Sequence, residues 1–212
     1  MVIQFFSRWI LALSLSAAFV VQAQGVVSQP ANVEFGTVFH LHGDLVATAP
    51  NGTLRALKKG DKVFVGDTLR TAMASEAVIK TKDAGIVALR PVTEMHVQQF
   101  AAQAAKTDRQ IIQLLSGSLR LISGWIGLVN RDEHRVITPA ATIGIRGTDY
   151  EPWVLHQSSK EGKYLSGTYN KVNRGQTLLE ASGGAISIDA GKVGFARGKA
   201  DTKRLQIGRA HV

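Results

Sequence analysis

Apolar and polar residues alternate in short runs along most of this chain, and glycine ends many of those runs. A period of two is the signature of β-strands, whose side chains point to opposite faces in turn. Val33–Leu41 puts Val33, Phe35, Thr37, Phe39 and Leu41 on one face. Gly43-Asp44 breaks it, Leu45–Thr48 is a brief strand, and Pro50-Asn51-Gly52 is a strong turn signal. Leu54–Leu57 and Val63–Val65 follow, separated by Gly60-Asp61 and closed by Gly66-Asp67. Thr68–Thr71 leads into a strand pair, Glu76–Thr81 and Ile86–Leu89. The pair is joined around Lys82-Asp83-Ala84-Gly85, where the glycine can take the left-handed conformation of a tight hairpin. Pro91 closes the second arm and Thr93–Phe100 extends again.

Val97–Leu115 fits two templates. Phe100, Ala101, Ala104, Ile111, Leu114 and Leu115 have helical spacing, whereas the polar group Lys106-Thr107-Asp108-Arg109 suits a hairpin tip. The long hairpin is the favoured reading. Gly117 and Gly124 punctuate Ser118–Ile122 and the apolar run Trp125–Val129, and Asn130–His134 is a polar turn. Farther on, Tyr164–Val172, Thr177–Glu180, Ala185–Ile188 and Val193–Ala196 repeat the rhythm of short strand and glycine turn. Ser158–Lys163 is the expected flexible loop. The pattern predicts one all-β domain over 24–206, a roll, sandwich or short β-solenoid, with 164–206 as a lobe on the rest.

The most particular stretch is Val136–Val154, VITPAATIGIRGTDYEPWV. A short strand meets Pro139, which fixes φ and restricts Thr138. A second run places Ile143 and Ile145 on one face, and Gly144 and Gly147 bracket Arg146. Taken in order, Gly60-Asp61, Gly66-Asp67-Thr68-Leu69, Thr71, the pair within Ala77–Leu89, Ser116-Gly117-Ser118-Leu119, Thr138-Pro139-Ala140 and Gly144-Ile145-Arg146-Gly147-Thr148 resemble the FecR-domain family. The resemblance runs from about Gly60 to about Val154. It implies an all-β periplasmic domain for sensing or binding, without known catalysis. In anti-sigma regulators of this type a cytoplasmic segment and a transmembrane helix precede the domain; a leader stands here instead. The family pattern returns to an apolar strand after Gly-Thr, whereas here Asp149, Tyr150, Glu151 and Pro152 intervene, which predicts an altered strand register.

The N-terminus reads as an export signal: Arg8, the apolar stretch Trp9–Val21, and the small-residue site Val21-Gln22-Ala23, with cleavage expected after Ala23. The expected location is periplasmic or secreted, without a stable transmembrane anchor. Cysteine is absent, so disulfides and thiolate chemistry are excluded. The chain carries 25 Lys and Arg against 16 Asp and Glu, a formal charge of +9. Such a balance attracts anionic envelope material, although scattered solvated charges are the favoured reading of it. Nucleic acid is an unsuitable partner for an exported chain. The last six residues, IGRAHV, match one reading frame of a sequencing-adapter oligonucleotide and are set aside from the fold.

The sequence contains no G-x-S-x-G, H-E-x-x-H or Walker pattern, and no catalytic residue, cofactor or metal site is expected. His40 and His42 share a strand face, but His96 and His134 have no ligand spacing to them. Asp61 and Asp67 each follow a glycine and read as turn residues that cap their own backbone. Arg146 has two readings: a guanidinium presented to an oxyanion, or a turn-pinning residue bonded to carbonyls or to Asp149 or Glu151. Trp125 is expected in the core and Trp153, beside Pro152, at a recognition surface. The expected ligand or partner contacts are therefore Arg146, Gly147, Thr148, Asp149 and Trp153. They would serve a binding or signalling module that docks an envelope protein through edge strands. The alternative is an envelope glycan-binding or structural protein that uses its basic surface on an anionic glycan.

Overall fold

The computed structural model describes residues 33–160, 164–197 and 205–209. The leader with its cleavage site, and residues 161–163 of the expected loop, lie outside them. The strands are β1 (Glu34–His42), β2 (Leu45–Thr48), β3 (Leu54–Leu57), β4 (Lys62–Phe64), β5 (Thr68–Thr71), β6 (Glu76–Thr81), β7 (Ile86–Leu89), β8 (Glu94–Ala101) and β9 (Arg109–Ile122). A single-turn helix, α1 (Ile126–Val129), and a 3-10 turn (Arg131–Glu133) follow. Then come β10 (His134–Ile137), β11 (Thr142–Ile145), β12 (Asp149–Leu155), β13 (Gly167–Arg174), β14 (Gln176–Ala181), β15 (Gly184–Asp189), β16 (Lys192–Arg197) and β17 (Leu205–Arg209).

These strands form two ladders that share β9. The first sheet runs β4-β1-β6-β7-β9-β12-β13-β16-β17. The second runs β3-β2-β5-β8-β9-β10-β11-β14-β15. Among the described residues every pair is antiparallel except β9–β10. That pattern is a two-layer sandwich and not a solenoid of parallel coils. β9 belongs to both layers because it bends at Gly117 (φ +77°). Residues before the bend pair with β8 and β10; residues after it pair with β7 and β12. Thr93 pins the bend: its Oγ1 accepts from the Ser118 N–H (3.1 Å). A Cβ on Gly117 would sit 2.6 Å from the Thr93 Cα.

One core fills the space between the layers. Phe35 on β1 meets Phe100 on β8 edge to face at 5.1 Å, across the two sheets. Leu45, Leu69, Ile79, Leu89, Met95, Ile112, Leu119 and Leu121 are fully buried around them. Each such side chain contributes about 1.5–3 kcal/mol relative to exposure.

The long hairpin favoured for Val97–Leu115 is present as β8 and β9. Other expectations need correction. On β1 the even alternation fails, because register shifts fall between Glu34 and Gly36 and between Val38 and His40. Each extra residue turns the following side chains to the other face. Val38 is therefore buried, whereas Phe39 is 62% exposed. In the β6–β7 hairpin the left-handed residue is Ala84 (φ +61°), not Gly85. Buried Asp83 holds that turn by accepting from the Thr81 hydroxyl and the Gly85 N–H.

Trp125–Val129, read as an apolar run among strands, contains helix α1. The reason is topological: β10 pairs parallel with β9, and a parallel pair needs a crossover connection. Finally, Ile207–Arg209 of the terminal hexapeptide pair with β16, although the sequence reading set them aside. Ladder pairing uses main-chain groups, so side-chain identity there matters little.

Candidate binding surfaces

The Thr-Pro-Ala-Ala turn closes the β10–β11 hairpin. Thr138 donates its backbone N–H to the Ala141 carbonyl (2.8 Å), and its hydroxyl accepts from the Ala141 N–H (3.0 Å). The same hydroxyl lies 2.7 Å from that of Thr168 on the opposite sheet. Ile143 and Ile145 both point into the core, so Gly144 and Arg146 face outward.

Arg146-Gly147-Thr148 is the corner at which the chain leaves the second sheet for the first. Gly147 turns it with φ +65°. Buried Thr148 anchors it: its N–H donates to Ser123 Oγ (2.9 Å) and its carbonyl accepts from the Ser123 N–H (3.0 Å). Arg146 donates its backbone N–H to the Gln176 carbonyl (3.1 Å), while among the described residues its exposed guanidinium reaches only Gln176 Oε1, at 3.5 Å. Asp149 and Glu151 are engaged elsewhere. Arg120 grips Asp149 with two hydrogen bonds, of 3.0 and 2.7 Å, and Asn173 donates to both carboxylates. The Arg120 hydrogen bond keeps the Asp149 carboxyl below the ordinary aspartate range, against the opposing effect of burial.

The register of β10, β11 and β14 sets Arg135 opposite Gly144, and Gly144 opposite Leu178. Gly144 has no Cβ, and one placed there would touch nothing closer than 3.9 Å. A shallow groove of about 70 Å³ results, lined by Arg131, Arg135 and Arg146, with Asp132 and Glu180 also at its wall. Among the described residues, none of these three arginines forms an ion pair with a carboxylate. Arg135 is steadied by donating to the Asp132 carbonyl (2.6 Å). Sequence reasoning found Arg146 and missed Arg131 and Arg135. The Pro139 hairpin held the clue, since its register puts Arg135 beside Gly144.

Trp153 lies on the outer face of the other sheet. Its indole stacks on Tyr169 of β13 with centroids 5.0 Å apart and planes within 2° of parallel. Phe195 of β16 continues the row at 4.5 Å from Tyr169. Tyr169 is held by donating its hydroxyl to the Leu165 carbonyl (3.0 Å). The five expected contact residues thus divide. Arg146 opens on one sheet, Trp153 on the other, and Gly147, Thr148 and Asp149 build the corner between them.

Pro152 also shapes this region. β12 pairs with β9 at Asp149–Tyr150 and again at Trp153–Val154, but not at Glu151–Pro152. Proline has no N–H for that ladder. The register between β12 and β13 shifts between Asp149 and Tyr150.

Trp125 is only partly buried; it packs on the core edge and donates its indole N–H to Asp108 (3.2 Å). Asp61 and Asp67 do cap their turns, accepting from the N–H groups of Lys58 and Phe64 at 2.8 Å each. Asp67 is buried and also binds Arg55. His40 and His42 are exposed, and His96 sits 3.1 Å from the Thr68 hydroxyl. His134 is fully buried, and desolvation lowers its pKa to about 3. Among the described residues no cluster of three histidine, aspartate or glutamate side chains could hold a metal ion. No helix of those residues is long and apolar enough to cross a membrane.

The FecR resemblance is borne out: the family model described as FecR protein matches residues 67–167. Two crystal structures of a "putative anti-sigma factor" from Parabacteroides distasonis ATCC 8503 share the fold, each with a TM-score of 0.50 at 10% identity. Each alignment covers 67% of this chain and 59% of the other, so the chain spans little more than half of those proteins. No curated protein matches the chain.

Proposed function

We propose that this chain is a non-catalytic FecR-domain module, exported to the periplasm, that binds an envelope protein and takes part in signalling. The observation that supports it most is the arginine groove at Gly144. Three guanidinium groups without carboxylate partners among the described residues converge on an open floor. Guanidinium groups bind carboxylates through paired, charge-assisted hydrogen bonds. The groove lies beside a second docking feature. β14 flanks it, and β15, next in the ladder, is one edge of that sheet among the described strands. An extended segment of a partner can add to such an edge, with main-chain bonds giving affinity and acidic side chains on the arginines giving specificity. A signalling role agrees with the FecR match and with the anti-sigma description of the proteins that share the fold.

A pull-down from envelope extract tests this reading. Arg146→Ala and Arg135→Ala should lose the captured protein, and Trp153→Ala, on the other sheet, should retain it. Equal recovery by wild type and both arginine variants would remove the groove from consideration.

A further inference from the structure

The indole of Trp153 is covered on one side only. Tyr169 fills the β13 side. On the β9 side the residue in register with Trp153 is Ser118, next to Gly117. Both are small, so the second face of the ring borders a pocket of about 430 Å³. That volume falls within the size range of small-molecule sites, roughly 300–1,000 Å³.

The polar groups around this face are of both kinds. Arg90, Glu151 and Lys171 line the pocket with Ser118. Lys171 has no ion-pair partner among the described residues. Among the described residues the Arg90 guanidinium is held only by an exposed contact to Glu76 at 3.4 Å, and such pairs are weak. Glu151 Oε1 accepts from Asn173, and Oε2 has no partner among the described residues. The indole N–H of Trp153 likewise has no protein partner there, in contrast to that of Trp125.

An open aromatic face ringed by donors and acceptors matches one ligand chemistry well. A pyranose ring has apolar C–H faces and a rim of hydroxyls, so it can stack and hydrogen-bond at once. Two cations against one carboxylate favour a ring that carries negative charge. We infer that this pocket is a subsite for one sugar ring of an acidic glycan. The ring stacks on Trp153 opposite Tyr169, its carboxylate faces Lys171 and Arg90, and a hydroxyl donates to Glu151. The site is independent of the protein-docking groove, which lies on the other sheet.

Calorimetric titration of the full chain with two probes tests it: a tetrameric uronic acid and neutral chitotetraose. Wild type should bind the uronate, and more weakly as salt rises. Trp153→Ala should weaken binding about ten-fold or more through loss of the stacking face. Ser118→Phe, which fills the slot while leaving Trp153 itself unchanged, should do the same, with an unchanged circular dichroism spectrum showing that the fold survives. Lys171→Gln should reduce the salt dependence, and Arg146→Ala should change nothing. Three results would overturn the inference: no binding of the uronate, equal affinity for the neutral tetramer, or undiminished binding by both Trp153→Ala and Ser118→Phe. Capture of an envelope protein that depends on Trp153, without uronate binding, would identify the surface as a protein contact instead.

Discussion

A Cβ placed on Gly175 would collide with the carbonyl oxygen of Gly147. The two glycines are the corners at which the chain changes sheets, from β11 to β12 and from β13 to β14. They pack against each other at one end of the sandwich. Both have positive φ, +65° at Gly147 and +81° at Gly175.

Gly175→Ala should therefore be the more damaging change. It combines the left-handed strain, about 1–3 kcal/mol, with a backbone collision that nothing can absorb. At Gly147 the added carbon would meet only the Cδ2 of the exposed Leu128, at 2.8 Å, and that side chain can swing away. Urea unfolding of the two variants measures the order. A Gly147→Ala loss equal to or larger than the Gly175→Ala loss would contradict this account.

His134 should make the fold sensitive to mild acid. Its folded pKa, about 3, lies below the unfolded value of about 6.5. Between those values the unfolded chain binds a proton that the folded chain does not. Stability is complete above about pH 6.5 and declines as pH falls, by up to roughly 1.4 kcal/mol per unit. His134→Leu should flatten this part of the stability–pH curve above about pH 4.5, before the carboxylates titrate. An unchanged slope in that variant would show that another group controls it.

Arg120 and Asp149 should show measurable coupling. Their bidentate contact bridges β9 and β12, but the Arg120 side chain is 43% exposed and screened by solvent. A double-mutant cycle with Arg120→Ala and Asp149→Ala should give an interaction of about 0.5–1 kcal/mol. Because the Asp149 pKa is lowered, that contribution is present above the unfolded aspartate value and is lost as pH falls through the folded one. A coupling near zero at pH 7 would mean that Asn173 alone orients the carboxylate.

Tyr150→Phe should leave stability unchanged or raise it slightly. The ring is fully buried, and its hydroxyl has no hydrogen-bond partner among the described residues. An unpaired buried hydroxyl costs about 1–3 kcal/mol, and removing it relieves that cost. A clear loss in thermal unfolding would reveal a partner for the hydroxyl.

The readable parts of the chain were those in which a local pattern decides local structure. β6 and β7, and the β10–β11 hairpin, follow from alternation and from Pro139. The unreadable parts depended on distant partners. Trp125–Val129 has a strand-like apolar composition, but β10 must lie parallel to β9, so the connection coils. Arg146 and Trp153 are close in the sequence and looked like one surface, whereas the corner at Gly147 sends them to different sheets. Arg120, Arg131, Arg135 and Tyr169 carried no signal of their own, because each matters only through a cross-strand neighbour.

By itself the sequence determined most of the strands, the all-β class and the resemblance to the FecR family model over residues 67–167, since side-chain alternation and glycine or proline backbone limits act within a few residues. Only the tertiary structure decided which strands pair, where β9 bends, and that the arginine groove and the Trp153 pocket are separate surfaces. Those outcomes depend on contacts between residues far apart in the chain, and no local preference encodes them.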